Sequence, residues 1–192
     1  SDATAALAKF CDATGIPVGV SQAGKGALLD SHASCLGAIG VTGTAAANAL
    51  AVDADLVINI GTRLSDFTTA SKTQFQHPRV RFLAINIHAA DARKHGALPL
   101  VGDARAILAQ LTRALAGWKI SAAHRVKIAR EKEKWSATRA SLVAPKRGVP
   151  LTQAQVIDEL NRACGADGTV VHASGGIPGD IHKLWRSHAA TD

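Results

Sequence analysis

Short β-branched apolar runs alternate along the chain with Ala- and Leu-rich stretches of helical period. The runs 16-IPVGV-20, 56-LVINI-60, 80-VRFLAINI-87, 98-LPLV-101 and 169-TVVHA-173 predict strands, because runs of this length bounded by turn residues suit buried, parallel pairing. Between them, 44-TAAANALAVDA-54 predicts a helix started by Gly43-Thr44, with small alanines that allow close approach to a sheet. Asp103 is placed to cap 104-ARAILAQLTRALA-116, where Ile107, Leu111 and Leu115 recur every four residues and Gly117 marks the end. This alternation is that of an α/β fold with a parallel sheet.

The pattern changes after residue 120. Residues 121–142 predict a highly charged helix whose apolar positions are Val126, Ile128, Trp135 and Leu142, and 144-APKRGVP-150 reads as a linker. The alternation then restarts: Thr152 caps 153-QAQVIDELNRACG-165, with Val156, Ile157, Leu160 and Cys164 expected on one buried face, followed by a strand and by 174-SGGIPGDIHKLWRS-187 as loop with some helix. One helix and one strand cannot bury a core alone. The expected organisation is therefore one α/β domain over 1–143, a linker over 144–150, and over 151–192 the truncated beginning of a second α/β unit.

Composition narrows the class. The 192 residues are 47% hydrophobic, with no apolar run long enough to span a bilayer, and the N-terminus lacks the basic and apolar regions of a secretory leader; a cytoplasmic protein with no membrane partner is expected. Cys11, Cys35 and Cys164 are odd in number and far apart, which suits reduced thiols, mostly buried, rather than disulfides or a metal site. There is no Met, even at position 1, so the chain reads as a piece of something longer. The net charge of +7 is concentrated between Arg105 and Arg147, where eleven Lys or Arg face only Glu131 and Glu133. With seven aromatic residues and no nucleic-acid motif, this stretch is read as a solvated helix face and linker, and no nucleic-acid partner is expected.

The glycine-rich stretch 22-QAGKGALLDSHASCLGAIGVTG-43 invites comparison with phosphate loops and fits neither common form. Gly24-Lys25 is followed by Gly26 rather than by the hydroxyl that would hold Mg²⁺, and the spacing of Gly37, Gly40 and Gly43 is not that of a dinucleotide fingerprint. The three glycines are read as supplying turns. His172 and His182 are read as surface or structural histidines, and Asp66, Asp91 and Asp180 are too scattered to argue for a carboxylate pair.

Taken in order, QAGKGAL, GVTGTAAAN, ADLVINIGTRLSDF and 97-ALPLVGDAR-105 resemble the central domain of the thiamine-diphosphate-dependent enzymes, the family that includes acetohydroxyacid synthase and pyruvate oxidase. The further stretches 91-DARKHGALPLVGDAR-105, 152-TQAQVIDELN-161 and 178-PGDIHKLWR-186 are similar to its hydrolase branch, which opens a ring C–C bond of trihydroxycyclohexane-1,2-dione to 5-deoxyglucuronate in myo-inositol catabolism.

The resemblance implies a Rossmann-like parallel sheet whose glycine-rich first strand would precede Ser1, with thiamine diphosphate and Mg²⁺ as cofactors of the complete enzyme. A cyclic dione is the implied small-molecule substrate, and FAD is not expected; without the first strand, 16–20 and 56–60 expose main-chain groups that a second copy of the chain can cover, so a homo-oligomer is expected. It also implies that the activating glutamate and the Mg²⁺-binding motif lie outside this chain, so no catalytic residue and no metal ligand is expected within it, and the isolated chain is expected to be inactive. Ser174, Gly175 and Gly176 are the implied contacts to the cofactor's diphosphate, with Gly176 standing where relatives carry Ser. Gly24, Lys25, Gly61, Thr62 and Arg63 are the implied residues at the mouth of the substrate site. The alternatives are an acetohydroxyacid synthase-like enzyme or a free-standing nucleotide-binding α/β module.

Overall fold

A computed structural model describes residues 3–145, 148–166 and 168–188. The expected features at Ser1, Lys146, Arg147 and 189–192 lie outside the described residues. The chain opens with α1 (Thr4–Thr14) and β1 (Val18–Val20), followed by β2 (Cys35–Ala38) and α2 (Ala45–Val52). Next come β3 (Leu56–Ile60), a single turn α3 (Asp66–Thr69), β4 (Arg81–Asn86), a second short turn α4 (Ala89–Ala92) and β5 (Leu98–Val101). Four further helices close the order: α5 (Ala104–Ala114), α6 (Ala122–Val143), α7 (Gln153–Cys164) and α8 (Gly176–Leu184).

All strand pairs are parallel, as the alternation predicts, but they form two sheets, β1-β2 and β3-β4-β5. One apolar cluster spans both: Phe10 and Cys11 of α1, Cys35 of β2, Ile85 of β4 and Leu108 of α5 are buried together, with Ile58 and Ile60 of β3 packed against them. On the other face Leu36, Ala47, Leu50 and Ile128 join β2 and α2 to α6. Helices on both faces of parallel strands, joined by crossovers, are the architecture that parallel pairing requires.

The helix starts follow their capping chemistry. The side chains of Thr44, Asp103, Ser121 and Thr152 each accept from the backbone N–H three residues on, and at α7 Gln155 completes a capping box. Helix α5 stops at Ala114, and a turn carries the chain to Gly117 at φ +81°.

Three expectations are corrected. The stretch 35-CLGA-38, whose Gly37 is expected to supply a turn, is a fully buried strand; it requires Gly37 because a Cβ there would come within 2.8 Å of Thr44 Cγ2, so β2 and the start of α2 sit closer than any larger residue allows. The stretch 169-TVVHA-173 is not a strand. No described strand lies beside it and Val171 is 92% exposed, so its β-branched residues have no sheet to join. Finally, the buried residues of α7 are Gln155, Ile157 and Asn161, whereas Val156, Leu160 and Cys164 are exposed. Polar contacts to α6 and to the chain after α8 turn the helix.

Candidate functional site at the carboxyl ends of the strands

Ligands of open parallel α/β sheets gather beyond the carboxyl ends of the strands, and here those ends are treated in two ways. Beyond β1 and β2 they are covered by α8. Beyond β3, β4 and β5 they are open, with Gly61, Arg63, Phe67, Ile87 and Val101 all exposed.

The covered end is built from the GVTGT turn. Gly40 has φ +97°, and a Cβ on it would lie 2.1 Å from the carbonyl oxygen of Phe67, so the turn after β2 runs directly against α3. Asn48 of α2 holds that turn from within: its amide donates to the Gly40 carbonyl at 2.9 Å and its Oδ1 accepts from the Gly40 N–H at 3.0 Å. Thr44 donates to the Leu36 carbonyl at 2.7 Å while capping α2. These contacts present Thr42 towards α8. There, Gly179 permits close approach, since a Cβ on it would be 2.7 Å from Thr42 Cγ2.

His182 is the pin of this arrangement. It is 2% exposed. Its Nε2 lies 3.0 Å from the carbonyl oxygen of Val20, the last residue of β1, and its Nδ1 lies 2.8 Å from the hydroxyl of Thr42. A carbonyl only accepts, so Nε2 carries the proton and, in the neutral ring, Nδ1 accepts from Thr42. Burial, with repulsion from Lys25 adding to it, outweighs the hydrogen bonds and pushes the pKa of His182 below its ordinary value.

The implied site residues fall into separate places. Gly24 and Lys25 lie in and after the short turn following β1, next to α8; Lys25 Nζ is 3.3 Å from Asp30. The neighbouring Gln22 amide donates to the Pro178 carbonyl and lies 3.4 Å from His172, so the 22–28 loop meets the first turn of α8 and the stretch that leads into it. Gly61, Thr62 and Arg63 follow β3 in the other sheet. There the Thr62 hydroxyl accepts from Leu64 N–H, and Asp91 feels the Arg63 charge, though its carboxyl is held low chiefly by the hydrogen bond from Lys94. Ser174, Gly175 and Gly176 are exposed at the start of α8, where no side chain caps the helix and Gly175 has φ +131°. Burial pushes the Cys11 thiol up to about 12 and raises Cys35 for the same reason, while Cys164 is exposed rather than buried.

Sequence reasoning missed Thr42, Asn48 and Asp30 and undervalued His182. Asp30 accepts from the Ser187 N–H at 2.7 Å, and Asn161 exchanges hydrogen bonds with the backbone of Arg186 at 3.0 Å in both directions. Arg139 of α6 pairs with Asp158 of α7 and donates to the Leu184 carbonyl. Nothing in the sequence pattern signals this docking; the glycines that allow it, Gly40 and Gly179, show their purpose only beside Phe67 and Thr42.

Residues 1–111 match the family described as thiamine pyrophosphate enzyme, central domain. The chain belongs to that family. It is 39% identical to 3D-(3,5/4)-trihydroxycyclohexane-1,2-dione hydrolase 2 of a Bacillus cereus strain, over 97% of this chain and 33% of that protein. It is also 38% identical to 3D-(3,5/4)-trihydroxycyclohexane-1,2-dione hydrolase of Clostridium tetani, over 96% of this chain and 32% of that one. The chain thus spans about a third of the length of the curated relatives it matches.

Proposed function

We propose that this chain supplies the central domain, over 1–143, and the start of the diphosphate-binding domain, over 151–192, of an enzyme dependent on thiamine diphosphate and Mg²⁺ that opens the ring of trihydroxycyclohexane-1,2-dione to 5-deoxyglucuronate. The observation that carries this reading is the similarity to the dione hydrolases over 96–97% of the chain, which reaches past residue 111 through α7 and α8. The enzyme acts in the cytoplasm as a homo-oligomer on a small cyclic dione, without FAD and without nucleic acid.

The described residues fit one edge of a diphosphate and no more. Ser174, Gly175 and Gly176 offer exposed donors at the uncapped start of α8, and a Cβ on Gly175 or Gly176 would meet no atom within 4 Å, so backbone amides can meet an anion there. They do not enclose it, and no cluster of three or more metal-ligating side chains forms among the described residues. When bound, thiamine diphosphate supplies the nucleophilic carbon and the electron sink for C–C cleavage. This chain's own work is positional: His182 and Thr42 hold α8 in place, the glycines of the 22–28 loop and Gly61 leave the backbone open, and Arg63 sets a cation at the open end of β3.

The test is a chimera in which this chain replaces the matching third of the Bacillus cereus hydrolase. A folded chimera that binds thiamine diphosphate is expected to hydrolyse the dione, while the 192-residue chain alone, with cofactor and Mg²⁺ added, is expected not to. A folded, cofactor-binding chimera that makes acetolactate from pyruvate and leaves the dione untouched would overturn the reading.

A further inference from the structure

A cavity of about 440 Å³ lies between α6, β2 and the 183–188 segment. Its volume falls in the range of small-molecule sites, about 300–1,000 Å³. One wall is Lys132, Trp135 and Arg139 of α6, and the facing wall is Lys183, Trp185 and Arg186. Two of the chain's three tryptophans thus line one cavity.

The charge around it is unbalanced. Arg139 is answered by Asp158. Asp30, the one carboxylate in the lining, is already engaged by Lys25 and by the Ser187 N–H. Among the described residues no carboxylate lies within ion-pair distance of Lys132, Lys183 or Arg186. Lys132 is held instead by two carbonyls, those of His32 at 3.1 Å and Ala33 at 2.7 Å, and it is half removed from water. Burial lowers its pKa, and the attraction of the Cys35 thiol and the Asp30 carboxylate only partly opposes that. Three such cations around one cleft repel each other, and an anion placed among them relieves all three. Indole rings add flat apolar faces on which a ring can stack.

We propose that this cavity is a binding site for a small phosphate-bearing ligand with a flat ring, of the nucleoside monophosphate class. The phosphate meets Lys132, Lys183 and Arg186, and the ring lies against Trp135 and Trp185. The site is independent of the thiamine-diphosphate reading, since none of Ser174, Gly175, Gly176 or Gly61–Arg63 lines it.

The probes are AMP, adenosine and inorganic phosphate, added in turn to the full chain while its tryptophan emission is followed. AMP is expected to change the emission saturably and to bind at least about tenfold more tightly than either half alone, a gap of about 1.4 kcal/mol. The Lys183→Gln/Arg186→Gln variant is expected to weaken AMP about tenfold or more with the far-ultraviolet circular dichroism unchanged, and Lys132→Gln, on the opposite wall, to do the same. Trp118→Phe, outside the cavity, is expected to leave the response intact. Absence of a saturable response to AMP, equal binding of adenosine, or full AMP affinity in both the double variant and Lys132→Gln would each overturn the proposal.

Discussion

Nε2 of His182 donates to the carbonyl of Val20 at 3.0 Å, joining a helix near the end of the chain to the first strand, 162 residues earlier. The bond has a pH signature. The folded pKa is depressed below the ordinary value of 6.5, so the neutral ring's contribution is complete above 6.5 and is lost as pH falls from there towards the folded value, because the unfolded chain takes up the proton first. Chemical unfolding at about pH 7.5 and about pH 5.5, either side of the ordinary histidine range, is expected to show lower stability at the acid value. His182→Phe should narrow that difference and, at the higher pH, cost about 1–3 kcal/mol for the stranded Val20 carbonyl.

The ion pair between Arg139 and Asp158 carries the contact of α6 with α7, with both side chains largely buried. Burial raises the pKa of Asp158, but hydrogen bonds from Arg162 and Arg139 outweigh it and hold the carboxyl below its ordinary value of 3.8. Its stabilising share is therefore present above that value and disappears as pH falls through the lower folded one. Asp158→Ala, read by urea unfolding at neutral pH, is expected to cost about 1.5–3 kcal/mol. Arg162→Ala, which removes an exposed partner, should cost less than about 1 kcal/mol.

Two glycines at the strand ends are expected to respond very differently to alanine. At Gly40 the added methyl would sit 2.1 Å from the Phe67 carbonyl at φ +97°, so the loss should reach or exceed the roughly 3 kcal/mol at the upper end of overpacking. At Gly61 nothing lies within 4 Å, and only φ +63° opposes the change, which predicts a loss of about 1–2 kcal/mol. Thermal melts of the two variants check the order.

How far these features were legible in the sequence depends on what each needed to be seen. The strands at 56–60 and 98–101 are legible to the residue because short apolar runs bounded by turn residues meet neighbours of the same kind. β2 was missed because Cys35-Leu36-Gly37-Ala38 contains no β-branched residue and owes its burial to Thr44 and α1. The opposite error at 169–173 shows that strand propensity without a partner yields no strand. The buried face of α7 went wrong because Gln155, Asp158 and Asn161 are satisfied by partners 11 to 25 residues away in sequence, which helical period cannot register. The same holds at the candidate site: motif and resemblance pointed to the glycine-rich turns, whereas the link that seats α8 on them comes from a lone histidine whose value appears only once Val20 and Thr42 are beside it.

Helix α8 is seated on the ends of β1 and β2 through His182, apart from any bound cofactor. Hydrogen exchange of the dilute chain, resolved to peptides covering 176–187, tests this most directly. The expected result is protection around Ile181–Trp185, where the Trp185 N–H donates to the Ile181 carbonyl at 3.0 Å, with the protection reduced in His182→Ala and unchanged by thiamine diphosphate and Mg²⁺. Exchange of this segment at the rate of an unfolded peptide while the β3–β5 strands stay protected, or protection that appears only when thiamine diphosphate is added, would contradict it.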